Sequence, residues 1–332
     1  MIPLSVLDLA TVASGSTPAQ ALRETTDLAV IAERLGYHRL WVAEHHGMAA
    51  VASSAPSVLI SHLADATTTL RVGSGGVMLP NHSPLVVAEQ FATLEALHPG
   101  RIDLGLGRAP GTDVRTARAL RRDTDLSANS FPDDVVELIG YMLPRDEPTG
   151  SIFATPGSGY LPEVWLLGSS TYSAQLAGML GLPFSFAYHF APELLDPALA
   201  LYRSSFRPSI LLEHPHTMVA VSVLCAPTSE EARWLAGPSS LSVLLRRTGQ
   251  MGLLPSPEEA AAYPYREEDR ALIEQATASH LIGTPAEVHE GLVALQRRTG
   301  ADEIMLSTRA HSLEARVTSL SLIAHSWELV GA

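Results

Sequence analysis

Short apolar runs rich in β-branched residues alternate with longer stretches whose apolar residues recur at helical spacing. Parallel strands joined by crossover helices produce this alternation. Eight such units predict a closed (β/α)8 barrel, a TIM barrel of the α/β class, formed by a single domain over residues 1–332. The predicted strands are 3–10, 38–44, 69–79, 101–107, 163–168, 184–188, 216–226 and 302–307.

Apolar residues at helical spacing predict helices between these strands. Two of the helices are predicted to stop at glycines, Gly36 and Gly181. The predicted helices are 18–35, 57–66, one from about Ser83-Pro84, most of 112–145, 169–181, 192–202, 284–300 and 312–329. Residues 237–278 break this rhythm with many Pro, Gly and Ser. We interpret them as an insertion before the eighth strand, either a mobile lid or a plain surface excursion.

Charge and composition exclude several classes of partner. Lys and Arg total 22 and Asp and Glu total 35, so the net charge is 22 − 35 = −13. This balance argues against nucleic acid and anionic membrane surfaces as partners. The N-terminus lacks the basic start of a secretion signal, and no stretch approaches the roughly 18 apolar residues of a membrane span. With Cys225 as the one cysteine, we expect a cytoplasmic protein without an internal disulfide.

Chemistry-bearing residues follow the predicted strands. In a TIM barrel the reactive groups lie where strands end and loops to the next helix begin. We therefore expect one mouth to gather these residues from most of the sequence. They are Asp8, Glu44, His45, Gly75, Gly76, Arg108, Ser169, Ser170 and His189.

The stretch WVAEHHG (41–47) places a carboxylate and two imidazoles in a row. Adjacent residues of an extended segment point to opposite sides, so His45 and His46 do not make a zinc pair, and we expect no metal. An imidazole at the barrel mouth, oriented by Glu44, suits a general acid or base because His titrates near neutrality. A structural histidine is the alternative interpretation.

One glycine-rich strand end allows a planar ligand, and a second strand end together with one helix start favours a phosphorylated cofactor. GSGGVMLPNHSP (73–84) allows close approach by a planar group, or marks a tight turn. PGRIDLGLGRAPGTD (99–113) presents Arg108, whose guanidinium fork suits phosphate. LLGSSTYSAQ (166–175) offers hydroxyl groups before a helix whose free N–H groups attract anions, although Ser169 and Ser170 also suit ordinary N-capping.

The chain resembles the bacterial luciferase-like flavin monooxygenases, in particular the single-chain alkanal monooxygenase-like branch that includes oxygenases of actinobacterial biosynthetic clusters. Three stretches carry the resemblance, in the order WVAEHHG, LRVGSGGVMLPNHSPLVVAEQFATLEALHPGRIDLGLGRAPGTD and WLLGSSTYSAQLAGMLGLPFSFAYHFAP. It implies a TIM barrel that binds reduced FMN and uses O2, through a C4a-(hydro)peroxyflavin, to oxygenate a small organic substrate in secondary metabolism.

The resemblance also implies roles for individual residues. His45 matches the catalytic histidine, and Gly75-Gly76 matches a bulge in the third strand with a non-prolyl cis peptide beneath the flavin ring. Arg108 and Ser170 match residues that grip the flavin phosphate, with Ser169 and Tyr172 beside them. His189 matches the substrate side of the ring. Gly107 stands where luciferase subunits carry a reactive cysteine, so light emission is not implied.

Partners follow from the same comparison and from one missing motif. The glycine-rich segments lack the ribose-binding acid of a Rossmann fingerprint, so we expect a separate flavin reductase to supply reduced FMN. The resemblance favours a homodimer. Two alternatives stay open, an oxidoreductase that uses the deazaflavin F420 and a flavin-binding protein without turnover.

Overall fold

The computed structural model describes residues 1–109, 111–120, 130–144 and 152–329. The strands found in these ranges are β1 (Leu4–Asp8), β2 (Arg39–Val42), β3 (Arg71–Met78), β4 (Ile102–Gly107), β5 (Glu163–Gly168), β6 (Phe184–Ala187), β7 (Thr217–Cys225), β8 (Leu281–Gly283) and β9 (Glu303–Ser307). All pairings between them are parallel.

Helices connect the strands throughout the same ranges. They are α1 (Pro18–Arg34), α2 (Pro56–Ala66), α3 (Pro84–Leu97), α4 (Val114–Leu120), α5 (Phe131–Met142), α6 (Thr171–Leu180), α7 (Leu195–Ser205), α8 (Ser229–Arg247), α9 (Pro257–Ala262), α10 (Glu267–Thr277), α11 (Pro285–Thr299) and α12 (Leu313–Ser326). Short 3-10 turns cover Leu79–Asn81 and Pro192–Leu194. Within the stretch predicted as mainly helical, residues 121–129 and 145 lie outside the described ranges.

Eight of the strands close into a barrel. Each strand from β1 to β7 pairs with the next, and β9 pairs with both β7 and β1. The predicted (β/α)8 barrel is therefore confirmed, with β9 as its eighth strand. The short strand β8 was missed, because three residues are too few for a periodic signal. It pairs with the end of β7 beyond the barrel, at Val223 and Leu281.

Alternation along each strand separates two apolar layers. Leu4 and Val6 of β1 face the surrounding helices, whereas Leu7, the next residue, packs inside the barrel with Trp41 and Trp165. Side chains of a strand point alternately to its two faces, which explains this division. The interior is thus a packed core, as expected for a barrel of eight strands.

Charged residues form the amino-terminal floor of the barrel. Arg39 is buried and donates to Asp103 at 2.8 Å and to Glu303 at 3.0 Å. The indole N–H of Trp41 donates to the same Asp103 carboxylate at 2.8 Å, and that of Trp165 donates to Glu163 at 2.8 Å. Burial of charge is tolerated only where each group is paired, so this network ties four strands together below the apolar interior.

Helix ends confirm two predicted stops and correct one boundary. Gly36 after α1 and Gly181 after α6 both have positive φ, 78° and 63°, which glycine adopts without steric cost. The irregular stretch predicted from residue 237 does not begin there. α8 continues through Pro238 as far as Arg247, and much of the stretch is helical. Buried apolar residues on α8, among them Leu241 and Leu244, hold this helix in place.

The segment between α8 and α9 lies against the rim of the barrel. Leu254 is fully buried, its N–H donates to the Val12 carbonyl at 3.0 Å, and its own carbonyl accepts from Ser14 N at 2.8 Å. The Ser14 hydroxyl donates to Glu259 at 2.7 Å. The inserted segment therefore covers part of the loop that follows β1. No helix in the described ranges is long and apolar enough to cross a membrane.

Candidate active site

The carboxyl ends of the barrel strands meet at one mouth. The residues that the sequence singled out lie at these ends: Glu44 and His45 after β2, Gly75 and Gly76 within β3, Arg108 after β4, Ser169 and Ser170 after β5, and His189 after β6. Burial lowers the pKa of both His45 and His189, and the charge of Arg309, which follows β9, lowers each of them further.

Glu44 is completely buried and organises two histidines. Its Oε1 accepts hydrogen bonds from His46 Nε2 and His82 Nε2, both at 2.9 Å, and its Oε2 accepts from the Met78 N–H at 3.0 Å. Burial raises the pKa of the Glu44 carboxyl, but the hydrogen bonds from His82 and His46 outweigh it and leave the pKa below its ordinary value. Glu44 is therefore a carboxylate that joins the ends of β2 and β3.

This geometry corrects the expected partnership of Glu44 with His45. The His45 ring is held from another side, by the Gly111 carbonyl oxygen 3.1 Å from Nδ1. A carbonyl accepts hydrogen bonds and does not donate them, so Nδ1 carries the proton and Nε2 is left to exchange one. Burial lowers the pKa of His45, and the charge of Arg309 lowers it further, which keeps the ring neutral at pH 7.

The peptide bond between Gly75 and Gly76 is cis, and the register of β3 against β4 shifts between Gly75 and Val77. The bulge and cis bond implied by the resemblance are both present. A Cβ at Gly75 would come within 2.9 Å of Leu7 and 3.1 Å of Trp41. A side chain at this position would therefore require Leu7 and Trp41 to shift.

Arg108 lies over the Tyr172 ring, with its guanidinium carbon 4.1 Å from the ring centre. In the part of the chain that the structure describes, no carboxylate forms an ion pair with Arg108. Cation–π stacking fixes the direction of the guanidinium and leaves its N–H donors available for an anion.

Ser170 occupies the N-cap position of α6, but its hydroxyl makes no capping hydrogen bond. Ser169 and Ser170 are both half-buried. The Ser170 side chain therefore does not cap the helix, which was the alternative interpretation of these serines. The free N–H groups of the first helical turn and the nearby Arg108 together suit a phosphate group.

One side of the mouth carries His189 after β6, His280 before β8 and Arg309 after β9, and the charge of Arg246 on α8 acts on His189 and Arg309. His189 Nδ1 lies 3.0 Å from the Ala220 carbonyl oxygen, and burial lowers the pKa of His189 to about 4. Burial, followed by the charges of His189 and Arg309, lowers the pKa of His280 to about 4. Burial and the charge of Arg246 lower the pKa of Arg309 to about 10, so Arg309 stays protonated at neutral pH.

Asp8 was expected to contact a cofactor, and the structure directs its side chain elsewhere. Asp8 is buried between β1 and the helices, where its carboxylate accepts from Arg316 at 3.2 Å and from the Thr25 hydroxyl at 2.5 Å. It shares the outer face of β1 with Leu4 and Val6. We therefore correct this expectation and leave Asp8 out of the site.

Three residues of the mouth were not predicted from the sequence. His82 lies inside a quoted glycine-rich stretch but gave no signal of its own, because its partner Glu44 is distant in sequence. Arg309 follows a predicted strand, so the strand-end rule could have found it. His280 precedes the short strand β8, which sequence periodicity did not show. Over the described ranges, no group of three or more His, Cys, Asp or Glu side chains is arranged to hold a metal ion.

Comparisons with known proteins agree with this geometry. The family model of the luciferase-like monooxygenases matches residues 2–303. A luciferase-like monooxygenase of Escherichia coli (strain K12) is 49% identical, over 97% of this chain and 96% of the relative. The N-acetyl-S-alkylcysteine monooxygenase of Bacillus subtilis (strain 168) is 36% identical, over 98% of both chains.

A solved structure supports the same assignment. The crystal structure of apo-MsnO8 has a TM-score of 0.92 and 35% sequence identity, covering 99% of both chains. The fold and site thus define a TIM-barrel enzyme of the flavin monooxygenase type. The chain belongs to the luciferase-like monooxygenase family, which confirms the resemblance stated from its sequence.

Proposed function

We propose that this protein uses reduced FMN and O2 to oxygenate a small organic substrate. The observation that carries the proposal is the pairing of Arg108, unpartnered by any carboxylate in the described ranges, with the uncapped start of α6. Two cationic elements that meet without an internal anion fit the phosphate of a flavin mononucleotide.

Different residues of the mouth would hold different parts of such a cofactor. Arg108, Ser169 and Ser170 bind the phosphate, while Tyr172 fixes the direction of the guanidinium. The Gly75-Gly76 peptide would contact the flavin ring. Reduced FMN, when bound, would supply two electrons for the reduction of O2, so that one oxygen atom enters the substrate and the other leaves as water.

His45 handles the protons of this reaction. Its Nδ1–H is committed to the Gly111 carbonyl, so Nε2 is the atom that accepts or donates a proton at the reacting centre. The lowered pKa keeps Nε2 able to accept a proton at neutral pH. Glu44 is a positioning residue, because it holds His46, His82 and the β3 backbone rather than His45 itself.

Partners follow from the same proposal. A separate flavin reductase supplies reduced FMN, and a homodimer in the cytoplasm remains our expectation. The segment around Leu254, which packs on the rim, acts as a lid over the substrate. The Bacillus subtilis relative is named for N-acetyl-S-alkylcysteines, so S-alkylated cysteine derivatives are the first class of substrate to screen.

Oxygen uptake tests this function against the two alternatives. The protein is mixed with reduced FMN, a candidate substrate and isotopically labelled O2, and the product is analysed by mass spectrometry. The proposal predicts one labelled oxygen atom in the product. Anaerobic oxidation or reduction of F420 would indicate the deazaflavin enzyme instead, and FMN binding without any turnover across the substrate series would indicate a flavin carrier.

A further inference from the structure

The segment after β4 holds His45 and His46 by two contacts from adjacent residues. The Gly111 carbonyl oxygen lies 3.1 Å from Nδ1 of the His45 ring, and the Thr112 hydroxyl donates to the His46 carbonyl at 2.7 Å. One contact fixes the ring, and the other fixes the backbone that directly follows it. Together they set the position of the Gly111 carbonyl relative to the imidazole.

Gly111 packs closely against the ends of two strands. Its φ of 64° lies in the left-handed region that favours glycine. A Cβ at this position would lie 3.0 Å from the Glu44 carbonyl oxygen and 3.0 Å from the Met78 side chain. The absence of a side chain therefore lets the Gly111 backbone approach the His45 ring.

The residue after Thr112 is fixed to the start of α4. Asp113 Oδ1 accepts from the Arg115 N–H at 2.8 Å and from the Thr116 N–H at 3.1 Å, and its Oδ2 accepts from the Thr116 hydroxyl at 2.7 Å. Carboxylates that accept from the first N–H groups of a helix stabilise its start. Thr112 thus joins a fixed helix start to the backbone of His46.

The backbone before the His45 ring is held by a different segment. The His45 N–H donates to the Ser53 carbonyl at 3.0 Å, and the Ser53 hydroxyl donates to the Ala43 carbonyl. Ser53 therefore fixes the chain as it enters His45, and Thr112 fixes it after His45. The ring lies between two independent anchors.

We propose that Thr112 is a positioning residue for His45, because its hydroxyl keeps the Gly111 carbonyl against Nδ1 and so keeps the proton of the neutral ring on that nitrogen. The inference rests on the proposed function, in which Nε2 of His45 exchanges a proton at the reacting centre. Without the Thr112 hydrogen bond, the loop and the His45 backbone can separate. The neutral ring can then carry its proton on Nε2, where it blocks that atom from accepting another.

Thr112 is uncharged, so its substitution separates this effect from a change of charge. The charged or titratable groups that act on His45 are Glu44, His46 and Arg309. Burial lowers the pKa of His45, and the hydrogen bond to Gly111 opposes this effect. Loss of that hydrogen bond should therefore lower the pKa of His45 further, while the three neighbouring groups stay in place.

Nitrogen-15 NMR of the full-length protein without added flavin tests this without turnover. Histidine is labelled with nitrogen-15, and the His45 ring signals are identified by their absence from His45→Ala. Thr112→Val replaces the hydroxyl by a methyl group of similar size. It should lower the ratio of Nδ1–H to Nε2–H tautomers of His45 by roughly 2- to 10-fold, the worth of one hydrogen bond. A pH titration should give a lower pKa for His45 than in the wild-type protein.

The rescue variant is Thr112→Ser, which keeps the hydroxyl and should restore the wild-type tautomer ratio and pKa. The matched control is Thr93→Val, which removes an exposed hydroxyl that donates to the Glu89 carbonyl at 2.6 Å within α3. It should leave the His45 signals unchanged. If Thr112→Val fails to fold, Thr112→Ala removes the same hydroxyl and should give the same change. A wild-type tautomer ratio and pKa in the variant without the hydroxyl would overturn the inference.

Turnover measurements separate this inference from the proposed function. With a substrate found by oxygen labelling, Thr112→Val should lower kcat and leave KM and the FMN dissociation constant unchanged. If the protein oxygenates a substrate and Thr112→Val leaves the His45 ring unchanged, the inference fails and the function stands. If Thr112→Val shifts the tautomer ratio but no substrate is oxygenated, the function fails and the positioning of His45 by Thr112 stands. A loss of FMN affinity as strong as in Arg108→Ala would assign Thr112 to the phosphate site and overturn the inference.

Discussion

The guanidinium carbon of Arg108 lies 4.1 Å from the centre of the Tyr172 ring. Arg108 follows β4 and Tyr172 belongs to the first turn of α6, so the contact joins two neighbouring strand ends. A cation already held over an aromatic face loses little freedom when an anion binds. Under the proposed function, this contact prepares the phosphate site before FMN binds.

Removal of the Arg108 guanidinium should weaken the binding of reduced FMN. We expect Arg108→Ala to raise the dissociation constant by roughly 10- to 100-fold, the usual contribution of charged hydrogen bonds. Anaerobic titration followed by fluorescence measures this. Arg297→Gln serves as the control for the loss of one charge. Wild-type affinity in Arg108→Ala would place the phosphate elsewhere.

His45→Ala should separate binding from catalysis. The loss of a general acid or base costs about 100- to 10,000-fold in rate, whereas the phosphate contacts remain. The turnover number should therefore fall while the FMN dissociation constant is unchanged. His325→Ala, which removes an exposed imidazole from α12, is the matched control. Turnover at the wild-type rate would remove His45 from the mechanism.

Glu44→Ala should destabilise the fold. The substitution removes the buried carboxylate that accepts hydrogen bonds from His46, His82 and the Met78 N–H. Breaking a buried, hydrogen-bonded charge costs about 3–5 kcal/mol. Urea denaturation measures the change in unfolding free energy. Glu290→Ala, at an exposed position of α11, provides the control. A loss below ~1 kcal/mol would show that water replaces the carboxylate at little cost.

Acid should destabilise the protein through His189 and His280. Both have a pKa of about 4 in the folded protein, below the ordinary value of 6.5, so the unfolded chain binds more protons between these values. The contribution of the neutral rings is complete above pH 6.5 and is lost as the pH falls toward 4. The melting temperature should fall over this pH interval, and it should fall less in His280→Gln than in the wild-type protein. An equal fall in both proteins would contradict the lowered pKa of His280.

The sequence predicts the barrel better than the direction of individual side chains. Strand and helix periods are local properties, which is why all eight barrel strands and the glycine stops at Gly36 and Gly181 could be located. Asp8 also ends a strand, yet its side chain turns outward to Arg316. The face that a strand-end residue presents depends on register against distant neighbours, which no local pattern records.

Hydrogen-bond partners of the site depend on the same long-range geometry. Glu44 is adjacent to His45 in sequence but bonds to His82, 38 residues away. His45 is held by a backbone carbonyl 66 residues away, at Gly111. Backbone carbonyls carry no residue-specific signal, so this contact could not be predicted. The cis bond at Gly75-Gly76 was accessible through family resemblance and not through glycine content alone.

We propose that the strand ends of the barrel hold reduced FMN in a setting that controls its reaction with O2. The most direct test is stopped-flow absorbance after mixing the protein, preloaded with reduced FMN, with oxygenated buffer. We predict a transient phase that free reduced FMN lacks and that disappears in Arg108→Ala at limiting protein concentration. Reoxidation with the time course and spectra of free flavin would contradict the claim.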